Sequence, residues 1–123
     1  MEEKIISFTV AKLAKEKGFN EVSDGCFDKN GKKYSGMNHK NEIGKGVFSA
    51  PTQSLLQKWL REKHGIHISL EASVIIGSKD EVYYNVSLID NTKDNRLYPL
   101  WEVESTTYEK ALEEGLQEGL NLI

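Results

Sequence analysis

The stretch SAPTQSLLQKWLREKHGIHISL, from Ser49 to Leu70, changes its periodicity at one residue, Gly65. That change constrains the fold more than any other feature of the chain. Before it, Leu55, Leu56, Trp59 and Leu60 recur at helical spacing, so one helix face is apolar. After it, Ile66, Ile68, Leu70, Ala72, Val74 and Ile76 alternate with His67, Ser69, Glu71 and Ser73, which is the period of a strand with one dry and one wet face. Antiparallel sheets commonly have such strands. The Leu55–Trp59 face of that helix is expected to pack on the apolar side of the sheet to which the strand belongs. Pro51 is suited to the first turn of that helix, giving it a span of 51–64.

The rest of the chain extends this pattern. GSKD (77–80) is a turn, Val82 to Ile89 alternates as a second strand, DNTKDN (90–95) is a polar turn, and Leu97 to Val103 is a third strand. Pro99 in that third strand predicts a sheet edge. Short polar turns between neighbouring strands make an antiparallel meander. The last segment, STTYEKALEEGLQEGLNLI, carries Tyr108, Ala111, Leu112, Gly115, Leu116, Gly119 and Ile123 at helical spacing, with Thr106 and Glu109 placed as a capping box. Gly115 and Gly119 cost about 1 kcal/mol each in helix propensity, so their place on the inner face implies close packing.

Upstream, Phe8 to Lys17 reads as a helix with Ser7 as N-cap and Gly18 as its left-handed stop. CFDKNGKKY contains Asn30-Gly31, the strongest short hairpin signal. A two-residue loop there would place Asp28 opposite Lys33 and Phe27 opposite Tyr34. Residues 35–49 show no period and read as a long loop. The expected fold is therefore α+β: a three-stranded antiparallel meander packed by two to three helices, with an extra N-terminal hairpin. At 123 residues it is expected to be a single domain spanning 1–123.

Charge narrows the function classes. The chain carries 16 Lys+Arg and 19 Asp+Glu, but up to Gly65 the counts are 12 and 8, and from Ile66 onward 4 and 11. Such polarity either steers a charged partner or is complemented inside the fold. No apolar run approaches the roughly 20 residues of a bilayer span, and MEEKIISF lacks the basic region and long apolar core of a secretory signal. With one cysteine, Cys26, no internal disulfide can form, which together with the missing signal points to the cytoplasm.

Candidate chemistry is sparse. His64 and His67 form one loose pair, with Cys26 and His39 the other usual ligands, short of the converging set a metal needs. No metal or other cofactor is expected. Cys26 could pair with His39 only if the fold brings them together, and a lone small cysteine is usually packing. Gly44-Lys45-Gly46 lacks the first glycine and the hydroxyl residue of a P-loop. No catalytic residue is assigned. The helix 51–64 offers Gln57, Lys58, Arg61 and His64 as nucleic-acid donors, against which stands an isoelectric point near 5.6. Trp59 sits among leucines and reads as core. Trp101 on an edge strand is more open to a surface role.

The blocks AKLAKEKGF, SAPTQSLLQKWLREKHGIHI and YEKALEEGLQEGLNLI resemble a group of small uncharacterised proteins carried by bacterial phages, prophages and other mobile elements. The resemblance spans Ala11 to Ile123, with the Gly36–Gly46 loop the least matched. It implies a bacterial host cytoplasm and an accessory role, and brings no activity and no catalytic residues. The resulting expectation is a non-enzymatic protein-binding module whose partner is a host or phage protein with an acidic surface. Lys58, Arg61 and His64 on the helix, with His39 and Lys45 on the loop, are the expected contact residues. Nucleic-acid binding is the first alternative and a small enzyme the second.

Overall fold

A computed structural model of the chain describes residues 4–39, 46–74, 82–105 and 107–123, without the side chains of 24, 35–39 and 101–105. The element order is α1 (Phe8–Glu16), β1 (Ser23–Phe27), β2 (Lys33–His39), β3 (Phe48–Ser49), α2 (Gln53–His64), β4 (Ile66–Val74), β5 (Val82–Asp90), β6 (Arg96–Ser105) and α3 (Tyr108–Asn121). The strands form two antiparallel three-stranded sheets, ordered β2-β1-β3 and β4-β5-β6, so the fold is α+β. The chain divides into two compact units, Met1–Leu56 and Gln57–Ile123, with α2 running across the boundary. The N-terminal hairpin does not extend the meander. It belongs to a sheet of its own.

In the first unit Ser7 caps α1, its hydroxyl accepting from Val10 N at 3.3 Å, and Gly18 closes the helix at φ 96°. Val10, Ala11 and Ala14 turn inward. Phe8 stands between the rings of Phe27 and Phe48, each 5.6 Å away. The hairpin register differs from the expected one. Phe27 faces Lys33 and Cys26 faces Tyr34, one residue away from the two-residue-loop pairing. Asp28 is the reason. Its carboxylate accepts from Asn30 N at 2.8 Å and Lys32 N at 2.9 Å, while Gly31 N donates to Asp28 O. Only Gly31, at φ 87°, goes left-handed, and the result is a three-residue turn with a bulge.

The expected loop over 35–49 is shorter than the sequence implied. β2 continues to His39, with Ser35 opposite Gly25 and His39 opposite Ser23, and Phe48–Ser49 pairs with β1 as β3. Residues 40–45 lie outside the described residues.

α2 begins at Gln53, not at Pro51. Thr52 caps it, its hydroxyl accepting from Leu55 N at 3.2 Å, and Thr52 bridges Ile5. Pro51 is spent one step earlier, where its carbonyl accepts from Ile6 N. Gly65 ends the helix at φ 68°, as expected.

In the second unit the meander is as expected, with nine uninterrupted β4–β5 pairs from Ile66–Asp90 to Val74–Val82. Asn91 N donates to Gly65 O, so odd-numbered β4 residues bond to β5 and even-numbered ones point to the open edge. By the same alternation Pro99 of β6 points its missing donor outward, which suits an edge strand. α3 covers the sheet through buried Ala111, Leu112, Gly115, Leu116, Gly119 and Leu120. Its cap is Thr107, accepting from Lys110 N at 3.4 Å, one residue later than the expected capping box. The box therefore does not form on Glu109, and Thr106 lies outside the described residues. β4 is not dry along its whole apolar face: beyond Leu70 both Ala72 and Val74 are exposed, because α3 begins at Tyr108 and does not reach them. The 77–80 turn and the Ile76 end of the expected strand fall outside the description.

The β5–β6 turn is held by Asp90, which is 2% exposed. Its carboxylate accepts from Thr92 Oγ1 at 2.5 Å and from Thr92 N at 3.0 Å. The Thr92 hydroxyl, then the Thr92 N–H and the Lys93 charge, hold its pKa below the ordinary value against the penalty of burial. At Asp28 the Lys32 N–H does the same. A depressed folded pKa contributes stability above the unfolded carboxylate value that is lost as pH falls through the folded one. Urea midpoints should therefore hold steady down to about pH 4 and fall below it. Asp90→Asn should flatten part of that fall, and an unchanged acid limb would rule the turn out as its source.

Candidate basic face of the central helix

α2 carries no acid in its first turn and places Arg61, Lys63 and His64 in its last. Cations there meet the partial negative charge of the helix end, so part of the basic bias is a capping effect. His64 has a further role. Its ring lies edge-on to Trp59 at 4.7 Å and is half-buried, so it braces the core tryptophan. Gln57 turns inward too, its amide donating to Ile68 O at 3.3 Å. Lys58 and Arg61 remain. Both are exposed, and among the described residues neither makes an ion pair or hydrogen bond. They are three residues apart and so share a face.

Of the five residues expected to meet a partner, Lys58, Arg61 and His64 are all on α2, with only Lys58 and Arg61 exposed. His39 is on β2 in the other unit, and Lys45 lies outside the described residues, as does the whole Gly44-Lys45 pair. The side chain of Trp101 is outside them also. Trp59 is core, 7% exposed, as its leucine neighbours imply.

The remaining chemical candidates separate. Cys26 is buried, and burial, followed by the nearby Asp28 carboxylate, pushes its thiol pKa up, away from a nucleophile. The β1–β2 register sets His39 opposite Ser23, roughly 10 Å along the strand from Cys26. His67 stands on the outer face of β4 with its Nε2 3.3 Å from Asn91 Nδ2. Among the described residues no three His, Cys, Asp or Glu side chains converge as metal ligands. No helix among them is long and apolar enough to cross a membrane.

A shallow cavity of about 340 Å³ lies between the β-strands of the second unit, lined by Glu71, Asn85, Ser87, Leu97 and Pro99 among others. The sequence reading missed it, since its walls come from three strands that meet only through register. Among the described residues Glu71 is the one ionisable group that lines it. No family model, curated protein or solved structure matches the chain.

Proposed function

We propose that the chain is a non-enzymatic protein-binding module, an accessory protein of the kind phages and mobile elements carry, acting in the bacterial cytoplasm. Its Lys58–Arg61 face would meet an acidic surface on a host or phage protein. The observation that carries this reading is the pair itself: two exposed cations on one helix face with no carboxylate on either among the described residues, in a unit whose other helix is rich in glutamate. Of the four donors a nucleic-acid recognition helix would use here, Gln57 is bonded to Ile68 O and His64 is packed on Trp59. Two remain, which favours a protein surface over a groove.

The test is capture from bacterial lysate by the parent and by the Lys58→Glu/Arg61→Glu variant. An electrostatically steered contact weakens as salt shortens the Debye length from roughly 10 Å at 0.1 M. The parent should capture a partner at low salt and release it as salt rises. The variant should capture nothing, yet lose only about 1 kcal/mol of stability, mainly from reversing Arg61 at the helix end. Unfolding of the variant would make the face structural. Undiminished capture would move the working surface to Glu113, Gln117 and Glu118 on α3. Capture that is abolished by nuclease treatment would favour nucleic acid.

A further inference from the structure

The two edges of the second sheet differ. β6 is guarded: Pro99 removes an outward donor, and the pairing with β5 shifts register between Asn85 and Val86. β4 is not. It runs nine residues without proline, lysine or bulge, and Glu71 is its only carboxylate. Its even-numbered residues direct N–H and C=O away from β5. At Ile68 the carbonyl is taken by the Gln57 amide. Past that point, among the described residues, the edge-directed backbone groups of Leu70, Ala72 and Val74 have no partner. The same end carries exposed apolar side chains, Val74 at 56% and Val82 at 38%, as a cross-strand pair. An edge this long with a single charged carboxylate and no lysine is a template for another strand.

We propose that this edge is a self-association surface. Two copies pair their β4 strands antiparallel about a two-fold axis at Ala72, joining two three-stranded sheets into one of six strands. The occupant is a second copy because the edge is complementary to itself in this register. Ala72 faces Ala72 of the partner copy, and Leu70 faces Val74 in both directions. These are three hydrogen-bonded pairs, or about six backbone bonds. On the opposite face each Glu71 falls opposite a Ser73, so the strand's one negative charge never meets itself. A register centred on Leu70 would need the Ile68 groups, and Gln57 already occupies that carbonyl. The apolar pairs lie on the face that α3 covers, at the end where Ala72 and Val74 are exposed, so those two are shielded in the same step. Isologous contacts of this kind close at two copies and leave no further β4 edge.

Sedimentation equilibrium over a dilution series tests this. The parent should be a reversible dimer that dissociates on dilution. Ala72→Pro removes the donor at the two-fold axis without touching the β4–β5 ladder, since the Ala72 N–H points outward. It should weaken association by at least about 10-fold, while the melting curve stays cooperative. Leu97→Lys, on the other edge, should leave association unchanged. If the proline variant fails to fold, Ala72→Lys serves instead: it sets two ammonium groups face to face, and should dissociate the dimer most at low salt. The register has its own readout. Ala72→Cys should form an intermolecular disulfide under mild oxidation and Ser69→Cys should not, with buried Cys26 silent in both. A parent that is monomeric throughout the series overturns the proposal. So does a proline or lysine variant that folds and associates like the parent.

Discussion

Trp59→Ala should lower the free energy of unfolding by about 3–5 kcal/mol, the range for a buried large aromatic cut back to a methyl. Trp59 is 7% exposed, in the second turn from the end of α2, where the helix lies against its own unit. Two losses combine. The indole leaves a cavity that a close-packed interior fills only in part. The ring of His64 also loses the surface it packs against, a contact worth about 0.5–1.5 kcal/mol in aromatic pairs. The urea midpoint should fall with an unchanged slope, and the melting temperature should drop on the order of 10 °C or more. His64→Ala should cost much less, since it removes the brace and leaves the core filled. A Trp59→Ala protein that melts with the parent would mean the apolar face of α2 does not hold the unit together.

The junction at Gly65 was legible because both signals there are local. Helical and strand periods need no knowledge of partners, and a glycine between them is the residue that takes φ 68° without strain. The meander and the inner face of α3 were legible for the same reason. The hairpin register was not. Asn30-Gly31 is the signature of a two-residue turn, but Asp28 two positions earlier offers its carboxylate to two backbone N–H groups and so stabilises a longer turn. Two local rules competed, and the side-chain hydrogen bonds won. β2 beyond Ser35 was invisible in SGMNH because its pairing with Ser23 and Gly25 is non-local, and nothing in that pentapeptide alternates. The exposed end of β4 was hidden as well. Alternation fixes which face a residue is on, whereas the length of the covering helix decides whether that face is dry.

The candidate site was legible as a composition and not as a geometry. Lys58, Arg61 and His64 look equivalent in sequence, each on the outer arc of one helix. The fold separates them: His64 bends onto Trp59, while Lys58 and Arg61 stay in solvent. Gln57, read as a donor for a partner, spends its amide on Ile68 O, and that one bond also limits where the β4 edge is open.

Gly115 and Gly119 share one helix face and one spacing, yet alanine should have opposite effects at the two. Each substitution gains about 1 kcal/mol of helix propensity. At Gly119 an added Cβ would lie 3.2 Å from Leu60 Cδ1 and 3.4 Å from Ile66 Cγ2. The nearer atom ends a flexible side chain and can give way, so Gly119→Ala should be neutral or stabilising by up to about 1 kcal/mol. At Gly115 the Cβ would lie 2.9 Å from Ile68 Cγ2 and 3.0 Å from Val86 Cγ1. Both belong to β-branched side chains fixed at χ1, on adjacent strands that are themselves tied by the β4–β5 ladder. Neither can retreat without moving backbone, so overpacking of about 1–3 kcal/mol outweighs the propensity gain and Gly115→Ala destabilises. Gly115→Leu drives three more carbons into the same contact and should lose about 3 kcal/mol or more, enough to lower the melting temperature on the order of 10 °C. Helix propensity alone ranks Gly115→Ala with Gly119→Ala, and both above the parent. Equal melting temperatures for those two alanine variants would therefore mean that α3 does not approach the sheet at Gly115 as closely as the fold requires.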